Sequence, residues 1–223
     1  MAIRTKLFRL SALMIAGTAL LCAPGCVFAA AVGGAAESFR RTGSSTIPAE
    51  YTEIAGRSFA VVVQADRLIQ SEEPGIVRRL TRQINDRIAL NAGASHGIPS
   101  DALLAVLYNT PQWPAMPPGE VAAMLGVERL VWIELTEYRL HEPGNEYVYD
   151  GAAVGSVLVY AADSPLPDDP VFDRGIAVRF PDSSGFIATD LPAAAVTTEL
   201  SSRFINRVAW LFYEHEESNV IPY

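Results

Sequence analysis

The chain has 223 residues, half of them hydrophobic, which is ample for one packed domain and marginal for two. Charged residues make up 19%, with 17 basic against 25 acidic, for a formal net charge of −8. That balance excludes nucleic acid as a partner, because displacing phosphate counterions takes a concentrated basic surface.

Residues 1–25 read as a signal peptide. Arg4, Lys6 and Arg9 form a positive start, and Leu10 to Leu21 form an apolar core broken only by Ser11, Gly17 and Thr18. Such a core is shorter than the roughly 20 apolar residues of a spanning helix. Small residues then lead into a cysteine, Ala23-Pro24-Gly25-Cys26, a run that resembles the lipobox of bacterial lipoproteins. The resemblance implies cleavage before Cys26 and a lipid on its sulfur. The alternative is an ordinary secretory cut after Ala29 or Ala31. The cysteines favour lipidation: the chain has two, Cys22 is discarded with the apolar core, and Cys26 is left unpaired. In an oxidising compartment an exposed lone thiol is a liability that a thioether-linked lipid removes. Cleavage removes three of the 17 basic residues and no acid, leaving 14 arginines against 25 acids.

Residues 26–56 are rich in Ala, Gly, Ser and Thr and lack hydrophobic periodicity, so they read as the lipidated cysteine followed by a flexible tether. A single domain is expected over 57–217, with a tail at 218–223. Phe59-Ala60-Val61-Val62-Val63 is a continuous, β-branched run that predicts a central strand buried on both faces. Ser71-Glu72-Glu73-Pro74 carries the marks of a helix start, and Val77, Leu80, Ile84 and Ile88 follow at helical spacing, with Arg78, Arg79, Arg82 and Arg87 turned away. Asn91-Ala92-Gly93 ends that helix. A weak strand is expected near His96-Gly97-Ile98, a helix over Ser100 to Tyr108, and a short one from Gly119 to Leu125 stopped by Gly126.

Strands over Leu130–Leu140 and Tyr147–Ala161, separated by Glu142-Pro143-Gly144-Asn145, form a hairpin. Phe172, Ile176, Val178 and Phe180 mark a third strand, and Val196, Leu200, Phe204, Val208 and Leu211 form one stripe of a closing helix from about Pro192 to Tyr213. Together these elements predict an α/β (α+β) domain with a mixed sheet of four to five strands. It ends in an antiparallel meander and is covered by helices, including a long C-terminal one.

The runs Val127-Glu128-Arg129-Leu130-Val131-Trp132-Ile133-Glu134-Leu135 and Arg207-Val208-Ala209-Trp210-Leu211-Phe212-Tyr213 resemble sequences of uncharacterised bacterial lipoproteins. More distantly, the order of elements is similar to the amino-terminal domain of TolB and the α/β domain of the CsgG secretion lipoprotein. That likeness implies an assembly or interaction role and carries no motif.

Catalytic constellations are sparse. Gly155-Ser156-Val157 lacks the second glycine of a nucleophile elbow. His96, His141 and His215 stand one per region, never at helical metal spacing. Glu214-His215-Glu216-Glu217 is the best metal candidate and reads more simply as a solvated, frayed helix end. Asp163, Asp168, Asp169 and Asp173 lack the calcium-loop pattern and read as a polar loop. Glu134 and Glu137 are the candidate acids of an enzyme, by strand alternation on opposite faces, with Glu134 beside Trp132 and Tyr138. The structural reading of Glu137 is an ion pair with Arg139. Arg78 and Arg82 belong to a basic helix face suited to anionic headgroups or to solvent. Tyr147 and Tyr149 alternate onto one strand face as a candidate partner surface.

The expectation is therefore a lipid-anchored lipoprotein of the cell envelope, facing the periplasm and acting as a non-catalytic interaction or assembly module. No cofactor or metal is implied, and the partner is an envelope protein. The rival is an enzyme of small molecules or hydrolysis using Glu134 and Glu137.

Overall fold

A computed structural model of the chain describes residues 43–183, 186–187 and 189–218. The expected signal peptide and Cys26 lie outside them. In chain order the elements are β1 (Ser44–Ile47), β2 (Ser58–Ala65), α1 (Arg67–Glu72), α2 (Ile76–Asn91), β3 (His96–Gly97) and α3 (Ser100–Asn109). A 3-10 turn (Trp113–Ala115) follows, then α4 (Pro118–Leu125), β4 (Arg129–Glu142), β5 (Asn145–Ala161), β6 (Pro170–Phe180), α5 (Ala193–Ala209) and β7 (His215–Ser218).

The expected α/β architecture is present. Five strands form a mixed sheet in the order β3-β2-β4-β5-β6. β2 is an inner strand, second from the β3 edge, and parallel to both neighbours, with Val61 beside Val131 and Val63 beside Ile133. β4, β5 and β6 form the antiparallel meander. A parallel connection needs a long crossover, and the stretch from α1 to α4 supplies it. A separate two-stranded sheet pairs β1 with β7, where the Ser44 hydroxyl donates to Glu216 at 3.2 Å.

Phe59 to Val63 are all buried because helices stand on both sides of β2. One face carries Phe59, Val61, Val63, Val131, Ile133, Val157 and Val159 against Leu80, Ile84 and Ile88 of α2 and Leu200, Phe204 and Val208 of α5. Among the described residues the other face is covered at one end only. There Ala60, Val62, Leu130, Trp132 and Tyr160 meet Leu103 and Leu107 of α3, Trp113, and Val121 and Leu125 of α4. Trp132 lies edge-on between Trp113 and Tyr160, with ring centroids 5.2 and 6.3 Å away.

Several boundaries differ from expectation. The tether read as ending at residue 56 does not run that far, because Tyr51 and Ile54 are buried in the core with Phe172 and Phe212. Tyr51 also donates its amide to the Leu211 carbonyl at 2.9 Å. Two apolar residues without periodicity carry no element signal, yet each closes an edge of the core. Ser71-Glu72-Glu73-Pro74 is not the start of α2: these residues end and follow the short α1, which Asp66 caps by accepting the Ile69 amide at 2.9 Å. α2 begins after Gly75, whose φ of 90° breaks the chain between the two helices.

The closing helix stops at Ala209, and the Glu214–Glu217 segment is not a frayed end, since His215 to Ser218 form β7. Ser218, read as the first residue of the tail, is the last of β7, and 219–223 lie outside the described residues.

Candidate functional site

A bulge in β4 decides which way the candidate carboxylates point. Leu135 pairs with Gly155 but Glu137 pairs with Val154, so Thr136 is an extra residue on its strand. One added residue flips every later side chain to the other face. Tyr138 therefore joins Ile133 and Leu135 in the α5-side core, with its hydroxyl 2.8 Å from Ser201, and does not share a face with Glu134 as plain alternation predicts. Glu137 and Arg139 move to the side that carries Trp132 and Glu134.

On that side, beyond Trp132, the described residues place no helix over the sheet. Glu134, Thr136, Asp173, Gly175 and Ala177 are exposed there, with Gln64, Val154 and Ser156 half-buried among them. Glu134 and Glu137 thus stand on a sheet face that no described helix covers. The expected Glu137–Arg139 pair forms, Arg139 Nε donating at 2.6 Å. Sequence reading missed its third member: Arg139 also pairs with Asp150 at 2.9 Å from β5 and donates to the His141 carbonyl at 2.9 Å.

A second polar group sits where β2 and β4 begin. Glu128 accepts the Ser58 amide at 2.9 Å and pairs with Arg57 at 2.7 Å. The amide first, and the guanidinium second, hold its carboxyl down at about 2. Arg129, 5% exposed, donates to Asp163 at 2.5 Å and so lowers that carboxyl too; Arg57 reaches Asp163 at 3.3 Å. Asp168 accepts the Gly119 amide at 2.9 Å at the start of α4. The aspartate loop thus pins strand and helix starts. Among the described residues no group of three His, Cys, Asp or Glu side chains could hold a metal ion.

The expected aromatic surface is half right. Tyr147 is 81% exposed, but Tyr149 is 3% exposed, stacked on His141 at 4.8 Å with its amide bonded to the Phe186 carbonyl. The two tyrosines therefore form no shared patch. His215 stacks flat on Trp210 at 4.4 Å.

The four arginines of α2 divide by position. Arg87 donates to Asn206 and Arg79 to Ser201 of α5, the latter at 3.3 Å, so these two are half-buried and tie helix to helix. Arg82 pairs with Asp101 of α3. Arg78 is exposed and makes no ion pair among the described residues. Arg78 and Arg82 border an open groove of about 890 Å³ between α2 and α3, with Val77, Leu104, Leu107, Tyr108 and Trp113 along it.

No family model matches the sequence, and no curated protein matches it. The fold is similar to the lipoprotein GNA1162 from Neisseria meningitidis, at 11% identity over 68% of this chain and 97% of that one, TM-score 0.44. It is similar to the PelC L103M dodecamer from Paraburkholderia phytofirmans, at 9% identity over 77% and 98%, TM-score 0.44. It is also similar to the DUF330-family protein XCC0632 from Xanthomonas campestris, at 12% identity over 74% and 86%, TM-score 0.44. Among the described residues no helix is long and apolar enough to cross a membrane.

Proposed function

We propose that this protein is a lipid-anchored lipoprotein of the cell envelope whose α/β domain binds another envelope protein and catalyses no reaction. The anchor rests on the Ala23-Pro24-Gly25-Cys26 run and on Cys26 being the cysteine left unpaired after cleavage. The non-catalytic reading rests on one observation. The two carboxylates that an enzyme would use lie on a sheet face that no described helix covers, and Glu137 is already tied to Arg139. A working acid or base needs a site that holds substrate within hydrogen-bond reach and excludes water, and an uncovered sheet face favours neither. A broad surface of small and polar side chains beside the edge strand β6 suits a macromolecular partner.

Two measurements test this. Cys26→Ser is expected to abolish fatty-acid labelling and to release the protein into the soluble envelope fraction. Unchanged labelling and membrane retention of that variant would remove the anchor. A photo-cross-linking amino acid at Ala177 on the open face is expected to capture one envelope protein in intact cells, while the same group at Leu90, 83% exposed on α2, captures none. Equal capture from both positions, or from neither, counts against the sheet face as the partner surface.

A further inference from the structure

We propose that the groove between α2 and α3 binds an anionic amphiphile, one phosphate or carboxylate head on a hydrocarbon tail, with Arg78 as the head contact and the α3 wall as the tail contact. The groove combines two chemistries that seldom meet on an acidic protein. Its mouth is cationic: Arg78 and Arg82 border it, and a smaller recess of about 260 Å³ at the same end is lined by Pro74, Gly75, Arg78, Arg79, Arg82 and Gln83. Its length is apolar: Val77 and Leu104 are half-buried, Leu107 and Trp113 nearly buried, and Tyr108 is 86% exposed. The volume, about 890 Å³, falls in the range of small-molecule sites, which run from roughly 300 to 1,000 Å³.

The cationic end is neutralised only in part, by Asp101, which also lines the groove. Arg82 and Arg79 have partners in Asp101 and Ser201, but Arg78 has no ion pair among the described residues. Its guanidinium folds back over the start of α2, 3.6 Å from where a Cβ on Gly75 would sit. That start has no side-chain cap and no acidic residue in its first turn. Arginine is disfavoured there, since the helix dipole already places positive charge at that end. The chain as a whole is acidic, with a net charge of −8, so the cluster is a local exception. An anionic head relieves the conflict by accepting from Arg78. A bare anion would leave the apolar wall of Leu104, Leu107 and Tyr108 in water, and a neutral hydrocarbon would leave Arg78 without a counter-charge. The amphiphile satisfies both ends.

The test is calorimetric titration of the full chain, held in a non-ionic amphipathic polymer, with octyl phosphate, octanol and inorganic phosphate, subtracting polymer-only blanks. Octyl phosphate is expected to bind one per chain, at least about tenfold more tightly than octanol or phosphate, since charge-assisted bonds and tail burial each amount to a decade or more. Arg78→Gln and Ala105→Trp alter exposed side chains and are expected to preserve the fold, checked by circular dichroism. Each is expected to weaken octyl phosphate about tenfold, the first by removing the head contact and the second by filling the tail path. Absence of saturable binding overturns the proposal. Equal binding of phosphate makes the site a bare anion site, and equal binding of octanol makes it a purely apolar one; either result overturns it as well. So does octyl phosphate binding that neither variant weakens, which would put the ligand elsewhere.

Discussion

Ser58 and Glu128 hold each other from both sides. The Ser58 amide donates to the Glu128 carboxylate at 2.9 Å, and the Glu128 amide donates to the Ser58 hydroxyl at 3.0 Å. This clasp lies one residue before the first parallel pair, Phe59 beside Arg129, and so fixes the register of β2 and β4 where they begin. Arg57 closes it from outside at 2.7 Å.

The clasp carries a pH dependence. Glu128 is held at about 2, below an ordinary glutamate, first by the Ser58 amide and then by Arg57. A carboxyl whose folded value is depressed favours the folded state above its unfolded value, and that contribution disappears as pH falls through the folded value. Urea midpoints of the wild type are therefore expected to exceed those of Glu128→Gln at neutral pH. The gap should narrow from about pH 5 downward and close near pH 2. A gap independent of pH would mean that the side-chain amide replaces the carboxylate in full.

Phe204 is fully buried at the centre of α5, in the same core cluster as Val131, Ile133 and Val157 of the sheet. Phe204→Ala is expected to lower the unfolding free energy by about 3–5 kcal/mol, through lost transfer energy and the cavity left behind. Urea unfolding followed by circular dichroism measures it. A loss under about 1 kcal/mol would mean that the helix collapses into the space or does not dock there.

Two glycines of the meander separate packing from backbone freedom. A Cβ on Gly155 would lie 2.5 Å from the Glu134 carbonyl oxygen, whereas one on Gly175 would meet nothing within 4 Å. Gly155→Ala is expected to cost about 1–3 kcal/mol by forcing β4 and β5 apart. Gly175→Ala, on the open face, should stay within about 0.5 kcal/mol of wild type. Thermal and urea unfolding of the pair decide it, and equal effects would contradict the close strand approach.

The double variant Glu134→Gln, Glu137→Gln asks whether the two carboxylates act as an acid and a base. Glutamine keeps their size and still hydrogen-bonds, so contact of a partner with that face is retained while proton transfer is lost. Loss of the part-exposed Glu137–Arg139 pair is expected to cost less than about 1 kcal/mol, since Arg139 keeps Asp150. The variant, at normal abundance, is expected to complement a deletion strain in full. A folded, abundant variant that fails to complement would make the pair a functional site.

The sequence by itself determined the elements whose signals are local. The β-branched run at Phe59–Val63, the spacing of Leu80, Ile84 and Ile88, the hairpin around Gly144 and the α5 stripe each declare a period or a turn within a few residues. The order of those elements then leaves few sheets to build, and the mixed five-stranded one follows. The Glu137–Arg139 pair was equally legible, because residues two apart on one strand share a face.

What tertiary structure alone decided depends on residues far apart in sequence. The Thr136 bulge is visible only in the pairing of β4 with β5, yet it turns Tyr138 inward and sets Glu137 beside Glu134 on the open face. Tyr149 is buried because His141 and Phe186 reach it from other segments, so alternation with Tyr147 predicts the wrong exposure. Tyr51 and Ile54 read as tether because one apolar residue in three has no period, and only the closing of the core around Phe212 and Phe172 gives them a place. Arg78 and Leu104 lie 26 positions apart, and no pattern within either helix predicts that they border one groove. That proximity comes from the packing of α2 against α3, which is fixed by burial of Leu80, Ile84 and Leu103 on opposite faces of the sheet they enclose.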